Sequence, residues 1–198
     1  MKYLALLTSA SLLAILSCQA QMVDLQAFGN RLNGWKSNQT ATYSINNNSY
    51  TTHMPTLTRT QGGGSFVSTR IEHSPRVADR RAVCFLETTF NASGQLVAGQ
   101  IRINTLSKQL NTGVVPLRVP SLEEGEVALL PPTDQLIQDL FSRLDTELAK
   151  LDADDKGRRD LFGRFSSRGP NKTDLAAAIR HNLNLLLAST GGGGYGAK

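Results

Sequence analysis

The stretch RAVCFLETTFNASGQLVAGQIRIN, residues 81–104, decides the fold of this chain. Two apolar runs flank residues 91–94, a short sequence rich in turn-forming residues, so the stretch predicts an antiparallel hairpin. The nearly continuous apolar centre of the first run predicts a central strand that is covered on both faces. Because side chains alternate along a strand, one face of the second run is expected to carry Val97, Ile101 and Ile103.

Shorter runs on both sides of this hairpin extend the predicted sheet. They cover residues 40–46, 50–57, 66–73 and 113–119. Pro55 and Pro116 lie in two of these runs and are expected at an edge or a bulge, because proline cannot donate a ladder hydrogen bond. Together with the hairpin, the runs predict about four or five strands.

Three segments have the apolar spacing of helices, and they cover residues 23–36, 133–152 and 172–189. Thr133 is available as the N-cap of the second helix. The two later helices are expected to turn one apolar stripe inward, formed by Leu136, Ile137, Leu140, Phe141, Leu144, Leu148, Leu151, Leu175, Ile179, Leu183, Leu186 and Leu187.

Strands followed by helices are typical of the α+β class. The prediction is an antiparallel β-meander of about four to five strands, with an N-terminal helix and two C-terminal helices packed on it. Residues 21–190 are expected to form this single domain, and the glycine-rich residues 191–198 a flexible tail.

The first 20 residues have the pattern of a secretory signal peptide. Lys2 supplies the positive charge, and residues 3–16 are apolar but too short for a spanning helix, which needs about 20 apolar residues. Cleavage after Ala20 would release a soluble protein that begins at Gln21. Cleavage before Cys18 is the alternative.

The sequence Ile15–Cys18 resembles a bacterial lipobox. The resemblance implies that Cys18 becomes an acylated N-terminus that anchors the chain to a membrane. Gln19 after the cysteine implies an outer-membrane address. The predicted location is therefore the cell envelope, either as an outer-membrane lipoprotein or as a periplasmic or secreted protein.

The charge of the chain is modestly basic, with 21 Lys and Arg against 16 Asp and Glu, and this balance does not predict nucleic-acid binding. Arginines are concentrated in residues 157–181, where they could bind an anionic partner. The candidate residues are Arg158, Arg159, Arg164 and Arg168. Alternatively, Phe162 and Phe165 anchor the segment in the core while the arginines are solvated.

No motif predicts a catalytic residue, a cofactor or a metal. The three histidines have no metal-ligand spacing, and His53 and His73 are expected at the surface or in turns.

Either cleavage of the leader leaves Cys84 without an internal disulfide partner. Cys84 is interpreted as a small hydrophobic residue in a strand, with a reactive thiol as the alternative.

The sequence favours a non-enzymatic, exported cell-envelope protein that binds or scaffolds another envelope component. The expected partner is an envelope protein, a glycan or anionic lipid headgroups, and the oligomeric state is left open. One alternative is a secreted hydrolase whose site is assembled from distant residues, with His53, His73 or Cys84 as candidates. Another is a subunit of a surface assembly, for which an exposed strand edge near Pro55 or Pro116 would be the sign.

Overall fold

The computed structural model describes residues 23–32, 34, 39–74, 81–119, 130–155 and 170–190, without the side chains of 152–155. Within these ranges the chain forms eight strands and three helices. The strands are β1 (Thr40–Ile45), β2 (Asn48–His53), β3 (Thr56–Arg59), β4 (Ser65–His73), β5 (Ala82–Phe90), β6 (Leu96–Thr105), β7 (Gln109–Asn111) and β8 (Val115–Pro116). The helices are α1 (Leu25–Arg31), α2 (Pro132–Asp155) and α3 (Lys172–Ala188).

All eight strands belong to one antiparallel sheet with the order β1-β2-β4-β5-β6-β7. Strand β3 pairs with β4 on the same side as β2, next to a different stretch of β4. In the same way, β8 pairs with β6 on the same side as β7. The predicted α+β class, the N-terminal helix and the two C-terminal helices are confirmed. The predicted four to five strands are too few, because the run at 50–57 divides at Met54 and Pro55 into β2 and β3, and β7 has only three residues.

The β5–β6 hairpin forms as predicted and lies in the middle of the sheet. The expectation that β5 is covered on both faces is wrong. Its residues alternate between buried and half-buried positions, so only one face of the strand lies in the core. We call the face that carries Cys84 and Leu86 the covered face, and the opposite one the outer face.

Contrary to the prediction, Val97 does not lie on the core face with Ile101 and Ile103. The register shifts between Thr89 and Phe90, and Phe90 pairs with Leu96 while Thr89 pairs with Ala98. This β-bulge leaves Val97 as the extra residue, half-buried, and turns Leu96 into the core instead.

The helices begin and end close to the predicted limits, with two differences. Helix α1 ends at Arg31 rather than near residue 36, and the Asp24 carboxylate caps it by accepting bonds from the backbone N–H groups of Gln26 and Ala27. Thr133 is not the N-cap of α2, because the helix already begins at Pro132 and Thr133 is buried in its first turn. Proline is favoured at a first helical position.

The two long helices lie on the covered face, where α2 packs on β6 and α3 on β1, β4 and β5. Gly99 of β6 permits close approach, since a Cβ atom there would lie 2.9 Å from the Leu140 Cδ2 atom. The predicted apolar stripe is buried, except that Ile137 and Leu187 are half-buried. Over the described ranges, no helix is both long and apolar enough to cross a membrane.

Candidate functional site

The structure places the three candidate residues of the hydrolase alternative on two faces of the sheet, with His73 and Cys84 together on the covered face and His53 on the outer face. His53 lies on the outer face of β2, whereas His73 lies on the covered face of β4. His73 is 3% exposed, so the expectation that it lies at the surface or in a turn is wrong. The alternation along β4 places it in line with Val67 and Ile71.

Cys84 is fully buried, as expected of a small hydrophobic residue. It pairs with Ile71 of β4 and Ile103 of β6. Burial raises the pKa of the Cys84 thiol well above its ordinary value of 9.0. A nucleophilic cysteine needs the opposite shift, from a nearby cation or helix N-terminus, so this environment keeps the thiol protonated and inert.

Two tyrosines and His73 form a stack within the covered face. The Tyr50 ring lies 4.9 Å from the His73 ring and 5.9 Å from the Tyr43 ring. Tyr50 is completely buried, and burial raises the pKa of its hydroxyl, helped by the negative charge of Asp174. A phenol with a raised pKa stays neutral at physiological pH, so it supplies neither a base nor a nucleophile.

A hydrogen-bond network joins α3 to the first two strands. The Asn182 amide accepts a bond of 2.9 Å from the Thr52 hydroxyl and donates one of 2.6 Å to the Tyr43 hydroxyl. At the start of the helix, the Asp174 carboxylate accepts bonds from the amides of Asn46 (2.7 Å) and Asn48 (2.5 Å). These contacts satisfy buried polar groups and position the helix, which is a structural role.

His181 is the third histidine, and it lies on the exposed side of α3. Its ring is tilted over Tyr43 at 5.1 Å, and partial burial lowers the pKa of the imidazole. Among the residues the structure describes, no three His, Cys, Asp or Glu side chains lie close enough to hold a metal ion.

The outer face of the sheet carries its charges in contact with one another. Arg70 forms an ion pair with Glu72, its neighbour two positions along β4. The His53 Nε2 atom lies 3.1 Å from the Glu72 Oε1 atom, although the geometry is not that of a hydrogen bond. The Arg70 side chain is 50% exposed, so part of its guanidinium faces solvent.

A second charged group occupies the neighbouring strands. Arg102 of β6 forms an ion pair with Glu87 of β5, and its guanidinium lies 5.1 Å above the Phe85 ring. The Arg102 side chain is 45% exposed, and that of Glu87 is 14% exposed. The carboxylate and the ring hold the guanidinium in one orientation, while its remaining N–H groups stay accessible.

These two groups together form what we call the outer-face array, which consists of His53, Arg70, Glu72, Phe85, Glu87 and Arg102. Arg70 and Phe85 are directly opposite each other in the β4–β5 register, so the two groups are neighbours. The array offers hydrogen-bond donors and acceptors of both charge signs on a rigid sheet, which suits recognition of a partner surface. It contains no hydroxyl or thiol nucleophile.

Sequence reasoning did not find this array, because its members come from four strands that only the register brings together. Alternation alone places Arg70 with Glu72, and Glu87 with Phe85, on one face of their strands. The predicted sites at Cys18, Arg158, Arg159, Arg164 and Arg168 lie outside the described residues, as do residues 1–20 and 191–198.

Comparison with known proteins gives no match. No protein-family model fits the sequence, and no curated protein or solved structure is significantly similar to the chain.

Proposed function

We propose that this chain is a non-enzymatic cell-envelope protein that binds another envelope protein through the outer-face array. The observation that supports the proposal is the division of chemistry between the two faces of the sheet. The Cys84 thiol, the Tyr50 phenol and His73 are buried on the covered face, whereas the guanidinium groups of Arg70 and Arg102, held by carboxylates, are about half exposed on the outer face. A protein surface with charges of both signs would complement such an array.

A protein partner suits the array better than a glycan or a lipid surface. Glu72 and Glu87 neutralise the two arginines beside them, so the array has little net attraction for anionic headgroups. Arg102 covers the Phe85 ring, which is therefore not free to stack on a sugar. Glycan and lipid binding are the alternatives that the experiment below would detect.

In this proposal the leader exports the chain, and an acylated Cys18 anchors it. Arg158, Arg159, Arg164 and Arg168 would add attraction to anionic headgroups next to the anchor, of about 1 kcal/mol for each arginine near the membrane surface. The anchor is tested by the intact mass of protein purified from the native membrane fraction. A mature chain that begins at Cys18 and carries acyl mass supports the anchor, and an unmodified chain that begins at Gln21 contradicts it.

The binding surface is tested by co-isolation from envelope extracts with the full-length protein. Arg102→Ala removes a guanidinium from the array, and we expect it to cost about 1 to 2 kcal/mol of stability because the largely buried Glu87 carboxylate loses its partner. Arg31→Ala removes the same charge from the exposed end of α1 and serves as the matched control. We expect the protein partner to be lost with Arg102→Ala and retained with Arg31→Ala.

Equal recovery of the partner with both variants would contradict the proposed surface. Recovery of glycan alone, or of vesicles with anionic lipid alone, would contradict the protein partner.

A further inference from the structure

Strand β1 is an edge strand among the residues that the structure describes, and the hydrogen-bonding groups on its outer side can be identified from the register of the β1–β2 hairpin. The two strands are joined by Asn46 and Asn47, with φ angles of 49° and 66°, as in a type I′ turn. Such a turn makes Ile45 and Asn48 a hydrogen-bonded pair. At the other end, the backbone N–H of Met54 donates to the carbonyl of Gln39 at 2.9 Å, which fixes the same alternation.

It follows that Tyr43 directs its backbone groups toward β2, whereas Thr42 and Ser44 direct theirs away from it. Within the described ranges, no strand pairs with this side of β1. The N–H and C=O groups of Thr42 and Ser44 thus form a short template for one more antiparallel strand.

The edge formed by β1 and the edge formed by β7 and β8 differ in how they are protected, and β3, which pairs with β4 alone, is a third edge strand within the described ranges. The β7–β8 edge is broken into strands of three and two residues, with Gly113 at a φ of 67° between them and Pro116 in β8. Strand β1 is continuous over six residues and contains no proline, bulge or charge. Residues 37–52 contain no charged side chain at all, so this edge lacks the features that usually prevent strand pairing.

We propose that β1 pairs with β1 of a second copy of this chain, in antiparallel orientation about a two-fold axis at Tyr43. Thr42 would then pair with Ser44 of the second copy, and Ser44 with Thr42, with two backbone hydrogen bonds at each pair. The two Tyr43 residues would lie directly opposite each other on the covered face. Cross-strand aromatic pairs and Thr–Ser pairs stabilise antiparallel sheets.

The absence of charge argues for a second copy as the occupant. The whole chain has a formal net charge of +5, so two copies repel each other wherever basic side chains would meet. Self-pairing through β1 brings no like charges together within the strands. The pairing also leaves the outer-face array accessible, and so the proposal does not depend on the function proposed above.

The oligomeric state of the full-length protein tests the pairing, measured by native mass spectrometry or sedimentation as a function of protein concentration. Ser44→Lys places two like charges across the new interface, and we expect it to weaken dimerisation by about tenfold or more. Thr51→Lys is the matched control, because Thr51 lies one strand further in and its hydroxyl is 3.3 Å from that of Thr42. We expect it to leave the dimer intact.

Thr42→Pro provides a second variant, since it removes an N–H group that makes no bond to β2 and should leave the fold intact. We expect the wild-type protein to be a dimer, and the Thr42→Pro variant a monomer with an unchanged circular dichroism spectrum. A monomeric wild type, or a Thr42→Pro variant that remains dimeric, would overturn the proposal. A wild type that is monomeric and pairs β1 with a strand of another protein would overturn it too.

Discussion

Cys84 illustrates how burial decides the chemistry of a single residue in this protein. Its thiol lies on the covered face of β5, between Ile71 and Ile103 on the neighbouring strands. Burial raises the pKa of the Cys84 thiol above its ordinary value of 9.0. The unfolded chain therefore ionises at a pH where the folded chain keeps its proton.

This difference predicts that the protein loses stability at alkaline pH. The stabilising contribution is fully present below a pH of about 9 and is lost as the pH rises above it, because only the unfolded state then releases the proton. One such group lowers the free energy of unfolding by about 1.4 kcal/mol per pH unit. Urea unfolding at a series of pH values would measure the slope.

Cys84→Ala is the control for this slope. The variant is less stable at neutral pH because it leaves a cavity, but its stability should fall less steeply between about pH 9 and 10. Burial also raises the pKa of the Tyr43 and Tyr50 hydroxyls from their ordinary value of 10.0, so these two groups add to the loss of stability only above about pH 10. An identical slope for wild type and variant would show that Cys84 is not enclosed as described.

Asn182 is the residue that connects α3 to the sheet. We expect Asn182→Ala to lower the free energy of unfolding by about 2 to 3 kcal/mol, because the hydroxyls of Thr52 and Tyr43 lose their shorter hydrogen bonds and keep only the 3.4 Å contact with each other. Asn184→Ala, on the exposed side of the same helix, should change it by less than about 0.5 kcal/mol. Chemical denaturation of both variants would test this; equal effects would contradict the network.

For single residues, the sequence predicted the burial of apolar side chains better than that of polar side chains. The apolar stripe of the helices follows from spacing alone, and it is buried as expected apart from Ile137 and Leu187. Asn182 lies on the same face of α3 as Ile179 and Leu186, so its position could have been found from the spacing. The hydrogen-bond partners of Asn182 could not be found in this way, because Thr52 and Tyr43 lie 130 and 139 residues away in sequence.

Among the elements, the connection between β3 and β4 is restricted by one glycine. A Cβ atom at Gly64 would lie 2.2 Å from the backbone carbonyl oxygen of Phe90, which belongs to the paired strand and cannot move aside. A Cβ atom at Gly62, in the same connection, would meet nothing within 4 Å. The two positions therefore differ in packing and not in sequence context.

We expect Gly64→Ala to destabilise the protein by about 1 to 3 kcal/mol, the usual cost of overpacking. Gly62→Ala should be neutral or stabilise the protein by up to about 1 kcal/mol, since alanine restricts the unfolded chain. Thermal unfolding of the two variants would measure the difference. Equal melting temperatures would show that β4 and β5 do not approach each other as described.

The elements were predictable where the sequence pattern was long and periodic. The β5–β6 hairpin and the two long helices follow from turn residues and apolar spacing. Strand β7 has three residues, too few for a period to be recognised, and β3 is separated from β2 only by Met54 and Pro55. The bulge at Val97 arises from the register with β5, which no local pattern encodes.

For the whole molecule, the packing of helices on one face of the sheet gives the two faces different environments. The alternation of side chains along a strand predicts that the strand has two different faces. Which face is covered depends on where α2 and α3 pack. The outer-face array follows from this choice and from the register of β2, β4, β5 and β6. Binding of an envelope protein through that face is the function proposed above.

Site-specific photo-crosslinking in cells would test whether the partner binds the outer face. The crosslinking residue is placed at Ser68 or Asn104, which lie on the outer face beside the array, and in a matched control at Asp145 on the exposed side of α2. We predict that both outer-face positions capture the same envelope protein and that position 145 does not. Capture from position 145 alone, or from all three positions equally, would contradict binding through the outer face.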